Sequence, residues 1–177
     1  EFESTGLNAI RNQALTHPTK KPHRPRPARN GNNGLSEIRV FAAPKKGCLR
    51  QAVKLVNPKA THQQNKGGLS VASSIDADKK KTGWAVDDGG IGKEQAAVFE
   101  FAAPVGFEVG TVLTIEIDFF VNTSHTIGRP RLAVTAAPKP VAIKGDSSAA
   151  SLATLMESLK KAGGPDRLNT KDRAELI

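Results

Sequence analysis

The residues best placed to do chemistry are Asp76 and Asp78, two positions apart, with Thr82 shortly after them. On one tight loop they can turn carboxylate, carbonyl and hydroxyl oxygens toward a single hard cation, and Ca²⁺ takes about six to eight such oxygens. The same spacing also suits a metal-free turn, in which each Asp accepts a hydrogen bond from an amide two residues on. Lys79, Lys80 and Lys81 lie between the acids and Thr82 and offset their charge. Glu116 and Asp118 are a second carboxylate pair, able in principle to act as acid and base. Placed at i and i+2 on a strand, they share one face, which is also the ordinary position of exposed strand charges. Arg129 and Arg131 flank Pro130 and share a face too. Pairing with Glu116 or Asp118 competes there with ligand binding. Trp84 is the only tryptophan in a chain without tyrosine. It is either a platform for a sugar ring or, beside Ala85 and Val86, filler for the core.

Other chemistries lack their residues. There is no GxGxxG, no GxxxxGK[ST], no HExxH and no GxSxG. His17, His23, His62 and His125 are scattered, with no second His or Cys at ligand spacing. Cys48 is the single cysteine, which excludes an internal disulfide, a four-cysteine zinc site and a CxxCH haem attachment within this chain. A Cys48–His nucleophile remains as an alternative to a plain core or loop thiol. The sequence therefore reads as a non-enzyme. No apolar run approaches about 18 residues, so no membrane span is expected. The chain opens on Glu1 without a signal sequence, and reads as a processed product or an excised piece.

Charge is distributed unevenly. The 177 residues carry a formal net charge of +9. Residues 1–75 hold 13 Lys/Arg against 3 acids, net +10, and residues 76–177 hold 13 against 14, net −1. The excess is concentrated in Lys20, Lys21, Arg24, Arg26 and Arg29, interleaved with Pro18, Pro22, Pro25 and Pro27. Proline has no amide donor and blocks helix, so this arm is expected to be extended and its charges available to an anionic partner. The arm has no aromatic residue, which argues against base stacking on nucleic acid. An acidic neighbouring domain or subunit, or an acidic or sulfated polysaccharide, suits it better.

The elements that must hold these residues are strands. Ile38, Val40 and Ala42 alternate with polar or outward residues, as do Val53 and Leu55, then Ala97, Phe99 and Phe101. Val71 and Ile75 mark a short run and Trp84–Val86 another. Leu113, Ile115, Ile117, Phe119 and Val121 share one face of residues 111–121, and Leu132, Val134 and Ala136 are expected inward on the last strand. Period-two alternation broken by Gly, Pro and Asn predicts half-buried antiparallel sheet. Residues 6–15 fit a strand or a short helix. The fold class is all-β: an antiparallel jelly-roll β-sandwich over residues 35–137. A basic arm covers residues 1–34, and a Pro spacer with a short helical tail covers 138–177. Within that tail Leu152, Leu155, Met156 and Leu159 form the helical stripe.

Four segments carry a family resemblance. They are Thr5-Gly6-Leu7-Asn8-Ala9-Ile10-Arg11 through Pro18; Asn30-Gly31-Asn32 with Leu35-Ser36-Glu37-Ile38; Ser74-Ile75-Asp76 with Thr82-Gly83-Trp84-Ala85-Val86; and Gly110-Thr111 with His125-Thr126-Ile127-Gly128-Arg129-Pro130-Arg131-Leu132-Ala133-Val134-Thr135. Together they resemble a β-sandwich module of large exported planctomycete proteins that also carry c-type cytochrome domains and domains of unknown function. The module looks like a galactose-binding-like, discoidin-type jelly roll. The resemblance implies a non-catalytic carbohydrate-binding or docking role, an exported (periplasmic or cell-surface) location and no haem in this chain. It also implies a structural calcium on Asp76, Asp78 and Thr82. Ligand contacts in the end loops would include Trp84, His125, Arg129 and Arg131. The rival expectation is a structural or assembly subunit whose basic arm docks on a neighbour. The sequence departs from the family's pattern at Ala77, where the family has glycine, and at Pro130, where it has an aromatic. It departs again at His23-Arg24-Pro25-Arg26-Pro27, which replace a Gly-rich stretch. Pro130 within a strand implies an edge or a bulge.

Overall fold

A computed structural model describes residues 6–15, 32–47, 49–121 and 125–143. The alternating segments form β1 (Leu7–Ala14), β2 (Gly34–Leu35), β3 (Glu37–Pro44), β4 (Gln51–Val53), β5 (Leu55–Ala60), β6 (Trp84–Ala85), β7 (Gln95–Val105), β8 (Thr111–Asp118) and β9 (Pro130–Thr135). All pairings are antiparallel. One sheet runs β5-β7-β1-β9, a second runs β4-β3-β8, and β2 pairs with β6 as a ribbon. Ile10, Phe99 and Phe101 of the first sheet share a core with Ile38 and Val40 of the second and with Leu35 and Trp84 of the ribbon. Each large side chain buried there contributes about 1.5–3 kcal/mol. The architecture is all-β and sandwich-like.

Residues 6–15 resolve as strand rather than helix. β1 lies between β7 and β9, with Ile10 opposite both Phe99 and Val134. Ladders on both sides satisfy its backbone, which a lone helix of this length could not sustain in water. Pro130 opens β9, which pairs only with β1 and so forms a sheet edge. Two expectations are corrected. Val71–Ser74 is a 3₁₀ turn, not a strand, because Ser73 and Ser74 hydroxyls donate to Gly67 O and Val71 O and compete with a ladder. Val71 still enters the core. On β9, Val134 packs against the core, but Leu132 is 39% exposed and Ala136 is exposed, because an edge strand has cover from one neighbour only. Leu113, Ile115, Ile117 and Phe119 pack against the core, half-buried, as the shared face predicts.

Residues 138–143 are bonded to the first sheet. Lys139 Nζ donates to Phe101 O and to Ala102 O, and Val141 N donates to Glu100 Oε1 at 2.9 Å. Glu100, 1% exposed on β7, also accepts from Asn57 Nδ2 at 2.9 Å and pairs with Lys59. The Asn57 bond, the Val141 amide and Lys59 hold its carboxyl below the usual range against the opposing effect of burial. The basic arm (Lys20, Lys21, Arg24, Arg26, Arg29), Cys48 and the helical stripe after residue 150 lie outside the described residues.

Candidate binding groove and the aspartate loop

The ribbon β2–β6 is sewn to the chain on both flanks. On one side Gln64 N donates to Ala85 O, Gly83 N to Gly68 O and Ala85 N to Leu69 O. On the other Gly34 N donates to His125 O at 2.7 Å. Beneath it, Trp84 Nε1 donates to His62 O at 2.8 Å and Val86 N to Asn32 Oδ1. His62 Nε2 lies 2.9 Å from Asp87 O. Gly83 lets β6 come this close: a Cβ there would sit 2.5 Å from Leu35 O and 2.8 Å from Ser36 Cα. These bonds bring positions 32–34, 64–69 and 81–87, with Val121 and His125, around one open groove of about 500 Å³. Its polar lining comes from Asn32, Asn33, Gln64, Asn65, Asp87 and His125, with Lys81 at the side.

Of the residues expected to meet a ligand, His125 lines this groove. Trp84 does not: it is fully buried under the ribbon, so its ring faces core and offers no surface for sugar stacking. This corrects its assignment as a ligand platform; the cause is the apolar area of the indole together with a carbonyl partner for its only polar atom. Arg129 and Arg131 are exposed along the β9 edge and are not part of the groove lining. Arg131 Nε donates to Gln13 Oε1 at 2.8 Å. Neither arginine is the partner of Glu116 or Asp118, because β8 and β9 belong to different sheets. Register instead sets Glu116 opposite Arg39, whose NH2 lies 2.9 Å from Glu116 Oε2 and 3.1 Å from Asp118 Oδ2. Arg50 and Lys79 complete that network. Arg39 beside it, then Arg50, keeps the Glu116 carboxyl below its ordinary range, which does not suit an acid–base residue that must hold a proton near neutrality.

Asp76, Asp78 and Thr82 do come together. Thr82 Oγ1 lies 2.8 and 3.1 Å from the two Asp76 carboxylate oxygens and 3.0 Å from Asp78 O. Asp76 Oδ1 also accepts from Asp78 N, and Asp78 Oδ1 accepts from Lys80 N and Lys81 N. Those two amides hold the Asp78 carboxyl below its usual range. The oxygens that face one another are four: two from Asp76, one carbonyl and one hydroxyl. The Asp78 carboxylate is turned away, toward its own turn. Among the described residues no group of three or more His, Cys, Asp or Glu gathers as a metal site. The donor set falls short of what Ca²⁺ takes, and the geometry is that of consecutive Asx turns. Behind the loop, Ala77 occupies the left-handed region at φ 69°. Its amide donates to Glu37 Oε2 at 3.1 Å. Burial raises the Glu37 carboxyl above its ordinary value, more than that hydrogen bond lowers it.

No protein-family model, curated protein or solved structure matches the chain. Asn33, Gln64, Asn65 and Asp87 were not legible as site residues in the sequence. The only local signals were the Asn-Gly-rich run at 30–34 and the amide cluster Gln63-Gln64-Asn65, and both read equally well as turns.

Proposed function

We propose that the chain is a non-catalytic, carbohydrate-binding and docking module of a larger exported protein, built as a galactose-binding-like jelly roll. The observation that supports this most is the amide-lined groove. A sugar hydroxyl both donates and accepts, and a planar amide offers the complementary donor and acceptor in fixed geometry. A concave site of a few hundred Å³ with a few convergent polar groups is the usual form of a small-ligand site. Among the described residues no helix is long and apolar enough to cross a membrane. The test is calorimetric titration of the whole chain with a panel of glycans. Saturable binding that is lost when Gln64 and Asp87 are replaced by Ala supports the reading, and silence across the panel removes it.

A second reading is supported by the net charge of +10 in residues 1–75. In it the chain is an assembly subunit whose arm docks Lys20, Lys21, Arg24, Arg26 and Arg29 on an acidic neighbour. Binding to that neighbour would weaken steeply with salt, because exposed charges are screened beyond about 8 Å at physiological ionic strength. Replacing Arg24, Arg26 and Arg29 with Ala would abolish it while leaving glycan binding in the groove untouched.

A further inference from the structure

The polar groups of the groove differ in how much of their bonding capacity the protein already uses. Asn65 Oδ1 accepts from Gly67 N at 2.9 Å and Leu69 N at 3.1 Å, which fixes the amide plane and leaves its NH₂ without a partner among the described residues. Asp87 Oδ1 accepts from Asp88 N, leaving the second carboxylate oxygen for a donor. The Gln64 side chain bonds to no described residue, while its backbone amide is tied to Ala85 O. The lining carries one lysine, Lys81, and one carboxylate, Asp87.

Resting on the carbohydrate reading, we infer that this groove takes an uncharged, polyhydroxylated sugar chain, read through neighbouring hydroxyls rather than through sulfate or carboxylate groups. One hydroxyl donates to Asp87 and another accepts from the oriented NH₂ of Asn65. Gln64 supplies a second donor–acceptor pair. A sulfated chain is disfavoured because sulfate needs charge-assisted donors, and here the single lysine is offset by a carboxylate that repels the anion. The groove and the basic arm therefore serve different partners.

The experiment compares agarose oligosaccharides, β-glucan oligosaccharides and mannan oligosaccharides with carrageenan oligosaccharides of equal length, by calorimetry at low and physiological salt. At least one neutral chain should bind, with an affinity that salt leaves unchanged. Asn65→Asp keeps the acceptor for Gly67 and Leu69 but deletes the donor, and Gln64→Ala breaks no side-chain bond, so both should fold with the parental melting temperature. Each should weaken the neutral glycan about tenfold, as expected for one lost hydrogen bond to a fixed partner. Binding confined to carrageenan and falling steeply with salt would overturn the inference while leaving a carbohydrate module standing. No binding by either class would overturn both. Neutral-glycan binding that neither variant changes would overturn the placement in this groove.

Discussion

Two buried or nearly buried glutamates on opposite sheets respond to acid in opposite senses. Glu100 has its carboxyl lowered in the folded chain, so the stability it contributes is complete above the unfolded value near 4.5 and is lost as pH falls through the folded value. Glu37 has its carboxyl raised, so its contribution is complete below 4.5 and is lost as pH rises through the folded value. Glu100→Gln should therefore cost more at pH 7 than at pH 3, with a loss of about 1–3 kcal/mol at pH 7. Glu37→Gln, whose amide oxygen can still accept from Ala77 N, should gain relative to the parent as pH rises from 4 to 7. Urea melts at three pH values measure both, and parallel behaviour of the two variants would contradict the assignment. Next to Glu37, Ala77→Gly should stabilise by up to about 1 kcal/mol in thermal melts, because a left-handed conformation is strained for alanine and free for glycine. Chelator should leave the parental melt unchanged. Asp76→Ala should lower it by about 1 kcal/mol with or without calcium, the cost of the turn bonds it makes. A chelator-dependent melt would restore a cation to the loop.

At the scale of elements, the ribbon β2–β6 matters more than its length implies. It has two residues in each strand, and it holds the groove's two walls together through Gln64, Leu69 and His125. Ser36 then carries the chain from the ribbon into β3: its amide donates to Asp118 O, and its hydroxyl accepts from Phe120 N and Val121 N. Gly83 is the narrowest point. A Gly83→Ala change meets the backbone of Leu35 and Ser36, which forces β6 away from β2 at a cost of about 1–3 kcal/mol. The expected outcome is a lower melting temperature together with loss of glycan binding. Near-normal binding in a destabilised protein would show that the groove does not depend on the ribbon.

For the whole molecule, stability is not confined to the sandwich strands. Asn8 Nδ2 donates to Ala136 O and Ala137 O, and residues 138–143 close over Glu100 and the end of β7. Truncation after Ala137 would remove the Val141 amide from a carboxylate that is 1% exposed. It should cost about 1–2 kcal/mol, since Glu100 loses one amide donor while Asn57 and Lys59 stay bonded to it. Truncation after Ile143 keeps those bonds and should melt close to the parent. The two shortened chains, compared by calorimetry, separate the anchoring segment 138–143 from residues 144–177. Equal melts would show that Glu100 finds other partners.

Three properties were legible in the order of residues alone: the all-β class, the faces of the long strands and the balance of charge between the two halves, while Pro130 limited its strand to an edge or a bulge. Those properties are local. Side chains alternate every second residue whatever the strand pairs with, and proline lacks a donor wherever it stands. The identity of residues 6–15 as an interior strand came from β7 and β9, which pair with it from about 90 and 120 positions away. Packing in three dimensions also set the fate of Trp84, because a lone indole beside Ala85 and Val86 has the same local pattern on a surface or in a core. It chose the partners of Glu116 and Asp118, since register across β3 and β8 brings Arg39 to them and leaves Arg129 and Arg131 on another sheet. The groove is the furthest from sequence. Asn33, Asn65, Asp87 and His125 are separated along the chain and have no spacing in common, and they meet only because a two-residue ribbon is hydrogen-bonded on both flanks. A site assembled by non-local pairing leaves no period in the sequence to be read.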